Sequence, residues 1–91
     1  MEKEQLFKAI TDKMLDTFIQ KNHDYGNSFD KQMDEFGMIA AVIRLSDKLN
    51  RLKVLTKEDA QVKEESIQDT LLDLANYSIL TAMWLYNQNK K

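Results

Sequence analysis

Three groups of residues have types and spacings that suit chemistry. The first is Glu65-x3-Asp69-x3-Asp73, followed by Asn76 and Tyr77. On a helix, a spacing of four sets these carboxylates one turn apart along one side. Stacked carboxylates repel one another, so a helix that keeps them inward needs a cation opposite. That cation is either Mg²⁺, a hard ion that prefers carboxylate oxygen and shares itself with substrate phosphate, or a basic side chain of the same protein. The bland alternative is a solvated acidic face, which is common on helices.

The second group is Arg44-x3-Lys48-x2-Arg51, with Asp47 between. A cationic stripe at i, i+4, i+7 can clamp phosphate, arginine in forked geometry and lysine as a point charge. Its structural counterpart is a set of salt bridges to the acidic helix. The third group is Lys21-Asn22-His23-Asp24-Tyr25-Gly26-Asn27-Ser28, a donor-rich stretch with an aromatic ring that reads as a recognition loop. Tyr25 suits stacking on a base, and Lys21 or His23 suits phosphate. Tyr25 beside Gly26 serves equally well as a plug over the core, and a lone histidine in a turn is usually a plain polar residue.

Other chemistries lack their residues. There is no nucleophile elbow, phosphate-binding glycine loop or dinucleotide fingerprint. Cysteine is absent and histidine occurs once, which leaves no zinc set and no disulfide and fits a reducing compartment.

The elements that must carry these groups are helical. Proline is absent and glycine occurs only at positions 26 and 37, too few turn formers for a compact β-protein. Leu6, Phe7, Ile10, Met14, Leu15 and Phe18 predict a first helix over about Lys3–Lys21. A short helical segment with Phe29, Met33 and Phe36 leads to Gly37. Met38–Leu55 forms the second main helix, with Met38, Val42, Leu45, Leu49 and Leu52 on one face and the cationic stripe on another. Thr56 and Asp59 suit a capping box. The last helix runs over about Val62–Asn87. Its first half is amphipathic, with Ile67, Leu71 and Leu74 inward. Its second half is apolar almost all round, so it must be buried on every side. Two other helices cannot surround it, so Ile79, Leu80, Met83 and Trp84 are expected at a subunit interface. The expectation is an all-α chain forming one domain over 1–91, a small antiparallel bundle with three main helices, completed by homo-oligomerisation.

Composition bounds the partners. Hydrophobic residues make up 43% and charged residues 31%, as in a globular domain. The net charge of −2 gives no general reason to expect nucleic acid or a membrane surface. No apolar run approaches the roughly 20 residues that cross a bilayer, and Met1-Glu2-Lys3-Glu4-Gln5 has no apolar signal region. A cytoplasmic protein is expected.

Taken together, Lys21–Phe29, Arg44–Leu52 and Glu65–Tyr77 resemble the nucleotide-modification-associated domain, a family found largely in phages and linked to modified-nucleotide pathways. The resemblance spans roughly Lys21–Leu80. More distantly, the layout is similar to the MazG-like all-α nucleoside triphosphate pyrophosphohydrolases, helical oligomers that bind Mg²⁺ through an EExxE helix and an ExxD helix. Where those enzymes carry EExxE, this chain has only Asp47 with Lys48, Asn50 and Arg51, and its later acids are spaced by four.

The resemblance implies an oligomeric binder of a nucleotide or cyclic nucleotide. Arg44, Lys48 and Arg51 would hold phosphate, and Tyr25 and Asn76 would contact base or sugar. Lys21, Asp24 and Tyr77 complete the ligand set. Asp47, Glu65, Asp69 and Asp73 would order the cations or Mg²⁺, with no catalytic residue. Capture of a host signalling nucleotide, without turnover and in the host cytoplasm for a phage gene, fits that description. The rivals are Mg²⁺-dependent pyrophosphate release and a structural subunit with salt-bridged helices and no ligand.

Overall fold

A computed structural model of the chain describes residues 1–25, 27–57 and 60–90, with 23–25 and 60–65 described through their backbone alone. The described residues form four helices and no strand: α1 (Lys3–Tyr25), α2 (Ser28–Phe36), α3 (Met38–Leu55) and α4 (Ala60–Lys90). The chain is all-α, as its composition requires. No described helix is long and apolar enough to cross a membrane.

α1 does not stop at Lys21 but continues through Tyr25. Asn22, His23 and Asp24 favour turns, yet each costs a helix interior under about 0.7 kcal/mol relative to alanine. A helix of several turns extends across such residues because each adds a hydrogen bond without a new nucleus. The expected recognition loop is therefore largely the last turn of α1. The side chains of His23, Asp24 and Tyr25 lie outside the described residues, as does Asp59 of the expected capping box. Thr56 instead turns back, its Oγ1 donating to the Lys53 carbonyl at 2.6 Å.

α2 and α3 are separated by Gly37 alone. Its φ of 74° and ψ of −159° lie in a region that is essentially glycine-only. The Gly37 N–H donates to the Met33 carbonyl at 2.8 Å, closing α2 as α3 begins. This joint folds α2 back so that its apolar pair, Phe29 and Met33, meets Ala41. These three form the buried core, and Ala40, Tyr77, Leu80 and Trp84 pack against it. α3 and α4 run antiparallel, since Arg44 pairs with Tyr77 and Lys48 with Asp73. Where α4 buries polar groups, it satisfies them locally. The Thr70 and Thr81 hydroxyls each donate to the carbonyl four residues back at 2.7 Å.

α1 is the least attached element. Met14 is buried, but Leu6, Phe7, Ile10, Leu15 and Ile19 are exposed. The radius of gyration of 14.9 Å exceeds the roughly 12 Å of a compact chain of this length.

Candidate functional site

The cationic arc of α3 splits into two roles. Arg44 is tied to its own chain on three sides. Its Nε donates to Gln32 Oε1 at 3.1 Å, Nη2 donates to the same oxygen, and Nη1 donates to the Tyr77 hydroxyl at 3.1 Å. The guanidinium carbon also lies 5.6 Å from the Phe29 ring centroid and 5.2 Å from that of Tyr77, within cation–π range. The two rings are 5.9 Å apart and tilted by 36°. Arg44 thus bolts α2, α3 and α4 together.

Lys48 is held more loosely. Its Nζ is 3.3 Å from Asp73 Oδ2, and both side chains keep roughly a third of their surface in water, 29% and 39%. An ion pair so placed contributes about 0–1 kcal/mol. Lys48 is therefore a cation that an incoming anion can recruit at little cost.

These residues border a cleft of about 550 Å³, within the size range of small-molecule sites. α1 supplies Phe18, Lys21 and Asn22, and the first turn of α2 supplies Asn27, Ser28, Phe29 and Asp30. α3 gives Arg44 and Lys48. α4 gives Asp73, Asn76, Tyr77, Leu80, Met83, Trp84 and Asn87. Three cations face two carboxylates, so the cleft is cationic in an acidic chain. Four aromatic rings and four side-chain amides share it. The first turn of α2 has no side-chain cap, and helix N-termini leave backbone N–H groups unpaired, which suits an anion nearby. A smaller groove of about 310 Å³ adjoins the cleft between α1 and α4. Lys13, Met14, Thr17, Asp69 and Leu72 line it, and it shares Asp73 and Asn76 with the cleft.

Of the expected ligand residues, Lys21, Arg44, Lys48, Asn76 and Tyr77 line one cleft. Arg51 and Asp47 are exposed on α3 and line neither groove. Asp69 borders the smaller groove, and the side chains of Asp24, Tyr25 and Glu65 lie outside the described residues. Of the residues expected at an interface, Leu80 and Trp84 pack on the core within the chain, and Trp84 Nε1 donates to Asp34 Oδ1 at 2.9 Å. Ile79 and Met83 are exposed.

Sequence reasoning missed Phe29, Gln32 and Asp34. Phe29 and Met33 show as an apolar pair one turn apart, which signals core and says nothing of a cleft. Nothing local links Phe29 with Tyr77 or Gln32 with Arg44.

Among the described residues no three acidic or histidine groups gather around one point. Asp73 is engaged by Lys48, while Asp47 and Asp69 sit exposed on different helices.

No curated protein and no solved structure matches this chain. The residues that line the cleft run from Phe18 to Asn87, and a family profile covers almost that same stretch. It matches residues 21–85, and the chain belongs to the family described as nucleotide modification associated domain 1.

Proposed function

We propose that this protein binds a nucleotide-type ligand, such as a nucleotide or cyclic nucleotide, in the cleft between α1, α2 and α4, and holds it without turnover. The observation that carries the reading is the cleft's composition: three cations, four aromatic rings and four side-chain amides line about 550 Å³. Lys21 and Lys48 meet phosphate, assisted by the uncapped start of α2. Tyr77 and Trp84 offer faces to a base, and Asn76 offers hydrogen bonds to base or sugar. Binding rather than hydrolysis is favoured because the carboxylates of an ion centre do not converge among the described residues. Capture of a signalling nucleotide in the cytoplasm, of the host for a phage gene, is the biological role this supports. The working form is a homo-oligomer.

A second reading has its own observation. Arg44 is fully occupied by Gln32, Tyr77 and two rings, as a structural subunit without ligand would have it. A thermal-shift panel of nucleotides, cyclic dinucleotides and ADP-ribose derivatives, with and without Mg²⁺, separates the two. A ligand that binds only the native state raises its melting temperature, by an amount that grows with concentration. The binding reading expects at least one such nucleotide and no pyrophosphate release. A flat panel leaves the structural reading standing, and robust pyrophosphate release overturns the preference for a binder.

A further inference from the structure

Two aromatic side chains of α4 border the cleft, Tyr77 and Trp84, and each carries a single polar atom. Both of those atoms are engaged from α2 or through it. The Tyr77 hydroxyl accepts from Arg44 Nη1 at 3.1 Å, and Arg44 Nε in turn donates to Gln32 of α2. The Trp84 indole Nε1 donates to Asp34 Oδ1, also of α2, at 2.9 Å. An indole N–H donates once and the ring accepts nothing, so this one bond uses the whole polar capacity of Trp84. The ring keeps only its apolar surface for the cleft.

Asp34 itself lines neither the cleft nor the smaller groove. It follows Met33, which is fully buried, so its backbone is anchored by the α2 core while its side chain stays exposed. Trp84 is half-buried and packs against the cluster of Phe29, Met33 and Ala41. A tryptophan side chain has two rotatable angles. Contact with the core and a directed bond at the ring edge restrain both.

A ring restrained in this way suits stacking. Every nucleobase has a π-face to offer an aromatic platform, and affinity improves when the platform need not be ordered as the ligand arrives. We propose that Asp34 is a positioning residue: from outside the cleft it locks the Trp84 indole as a pre-ordered platform on which a nucleobase lies by its face. This role rests on the nucleotide reading above and deepens it, naming the base as the moiety that Trp84 takes. A ligand with phosphate and sugar but no base gains nothing from Asp34.

Trp84 is the chain's only tryptophan, so the indole bands of near-ultraviolet circular dichroism report on this ring alone. AMP and ribose 5-phosphate serve as probes because they differ only by the base. Asp34→Ala is expected to weaken the indole bands without ligand and to keep the helical signal, since Asp34 is exposed. Its Kd for AMP should rise about tenfold, in the lower part of the range for a lost base–aromatic stack, with the Kd for ribose 5-phosphate unchanged. Asp34→Asn keeps an oxygen that accepts from the indole N–H and should restore most of both readouts. Glu35→Ala, at the neighbouring exposed carboxylate, should move neither. Unchanged indole bands in Asp34→Ala, or equal losses for the two probes, overturn the positioning role and leave the nucleotide reading standing. A wild type that binds AMP no tighter than ribose 5-phosphate, or binds neither at millimolar concentration, overturns the platform, and the thermal-shift panel then tells whether the wider reading falls with it.

Discussion

The two sides of the α3–α4 pair are built from the same helices and obey opposite rules. On the cleft side Arg44, Lys48 and Asp73 gather, and the chain segment that borders them, α2 with the end of α1, is supplied in cis. Arg44 is satisfied by Gln32 and Tyr77 and stacked on Phe29, so the polar groups there do not depend on solvent or a partner. On the other side Met38, Val42, Leu49, Leu71 and Leu85 keep 41–49% of their surface exposed. The contrast teaches that exposure has two meanings here. A half-exposed lysine beside a partly exposed carboxylate can exchange one partner for another at little cost, whereas a half-exposed leucine only leaves apolar surface in water. The two sides also differ in what holds them. The cleft side rests on the buried cluster of Phe29, Met33 and Ala41, whereas the far side is held by the packing of α3 and α4 on each other.

The largest expected effect breaks the cleft side at its foundation. Met33 has no exposed surface and lies beneath Phe29, between α2 and α3. Met33→Ala should cost about 2–5 kcal/mol, the lost transfer energy plus the cavity left behind. Denaturant melts at fixed protein concentration read this directly. A change below 1 kcal/mol would mean that the α2 core is not what supports the cleft.

Next comes the ligand side of the same comparison. Lys48→Ala should weaken binding of the tightest panel nucleotide by about 1.5–3 kcal/mol, the range for hydrogen bonds to charged groups. Stability without ligand should change by no more than about 1 kcal/mol, because the pair with Asp73 is partly exposed. Arg51→Ala, at a residue that lines neither groove, should leave both quantities almost unmoved. Titration calorimetry beside apo melts checks this, and the reverse ranking of the two variants would relocate the anion site along α3.

Gly37→Ala probes the joint that brings α2 over the cleft. Space is not the obstacle, since a Cβ there would meet nothing within 4 Å. The backbone conformation is, and holding a non-glycine residue in it costs about 1–3 kcal/mol. Stability and nucleotide affinity should fall together, as read by denaturant melts and titration calorimetry. A variant that keeps both would mean that this joint does not hold α2 over the cleft.

Much of this architecture was legible because few residues decide it. The apolar stripe from Met38 to Leu52, after a glycine, marks α3 from Met38 to Leu55 without tertiary information. Lys21, Arg44, Lys48, Asn76 and Tyr77, singled out by type and helical phase, line one cleft. What sequence could not give is which of them would be consumed by the fold. Arg44 and Lys48 are equivalent by spacing, and only the long-range approach of Gln32 and Tyr77 makes one a bolt and leaves the other available. Taken residue by residue, Asn22, His23 and Asp24 point to an end at Lys21, whereas an established helix extends cooperatively through Tyr25. The all-round apolar pattern about Trp84 points to a subunit interface, whereas its packing on the core within the chain depends on α2 and is invisible from within α4.

The smallest effect sharpens the comparison furthest, because two readings give it opposite signs. Asp73 sits between the cleft and the smaller groove, 3.3 Å from Lys48. If the cleft binds an anionic nucleotide through its cations, this carboxylate opposes the phosphate and restrains the lysine. Asp73→Asn would then keep the shape, release Lys48 and tighten binding by up to about 1 kcal/mol, the scale of a single partly exposed charge pair. Stability would change by no more than a similar amount. If Asp73 instead served Mg²⁺ beside a bound phosphate, the amide would be the poorer ligand for a hard ion, and affinity measured with Mg²⁺ would fall. Titrating wild type and Asp73→Asn with the same nucleotide, with Mg²⁺ and then with a chelator, distinguishes the two by sign and not by size. Equal tightening in both conditions supports a cationic cleft with Asp73 as its brake. Weakening confined to the Mg²⁺ titration would show that the acidic side of α4 had been assigned to the wrong partner.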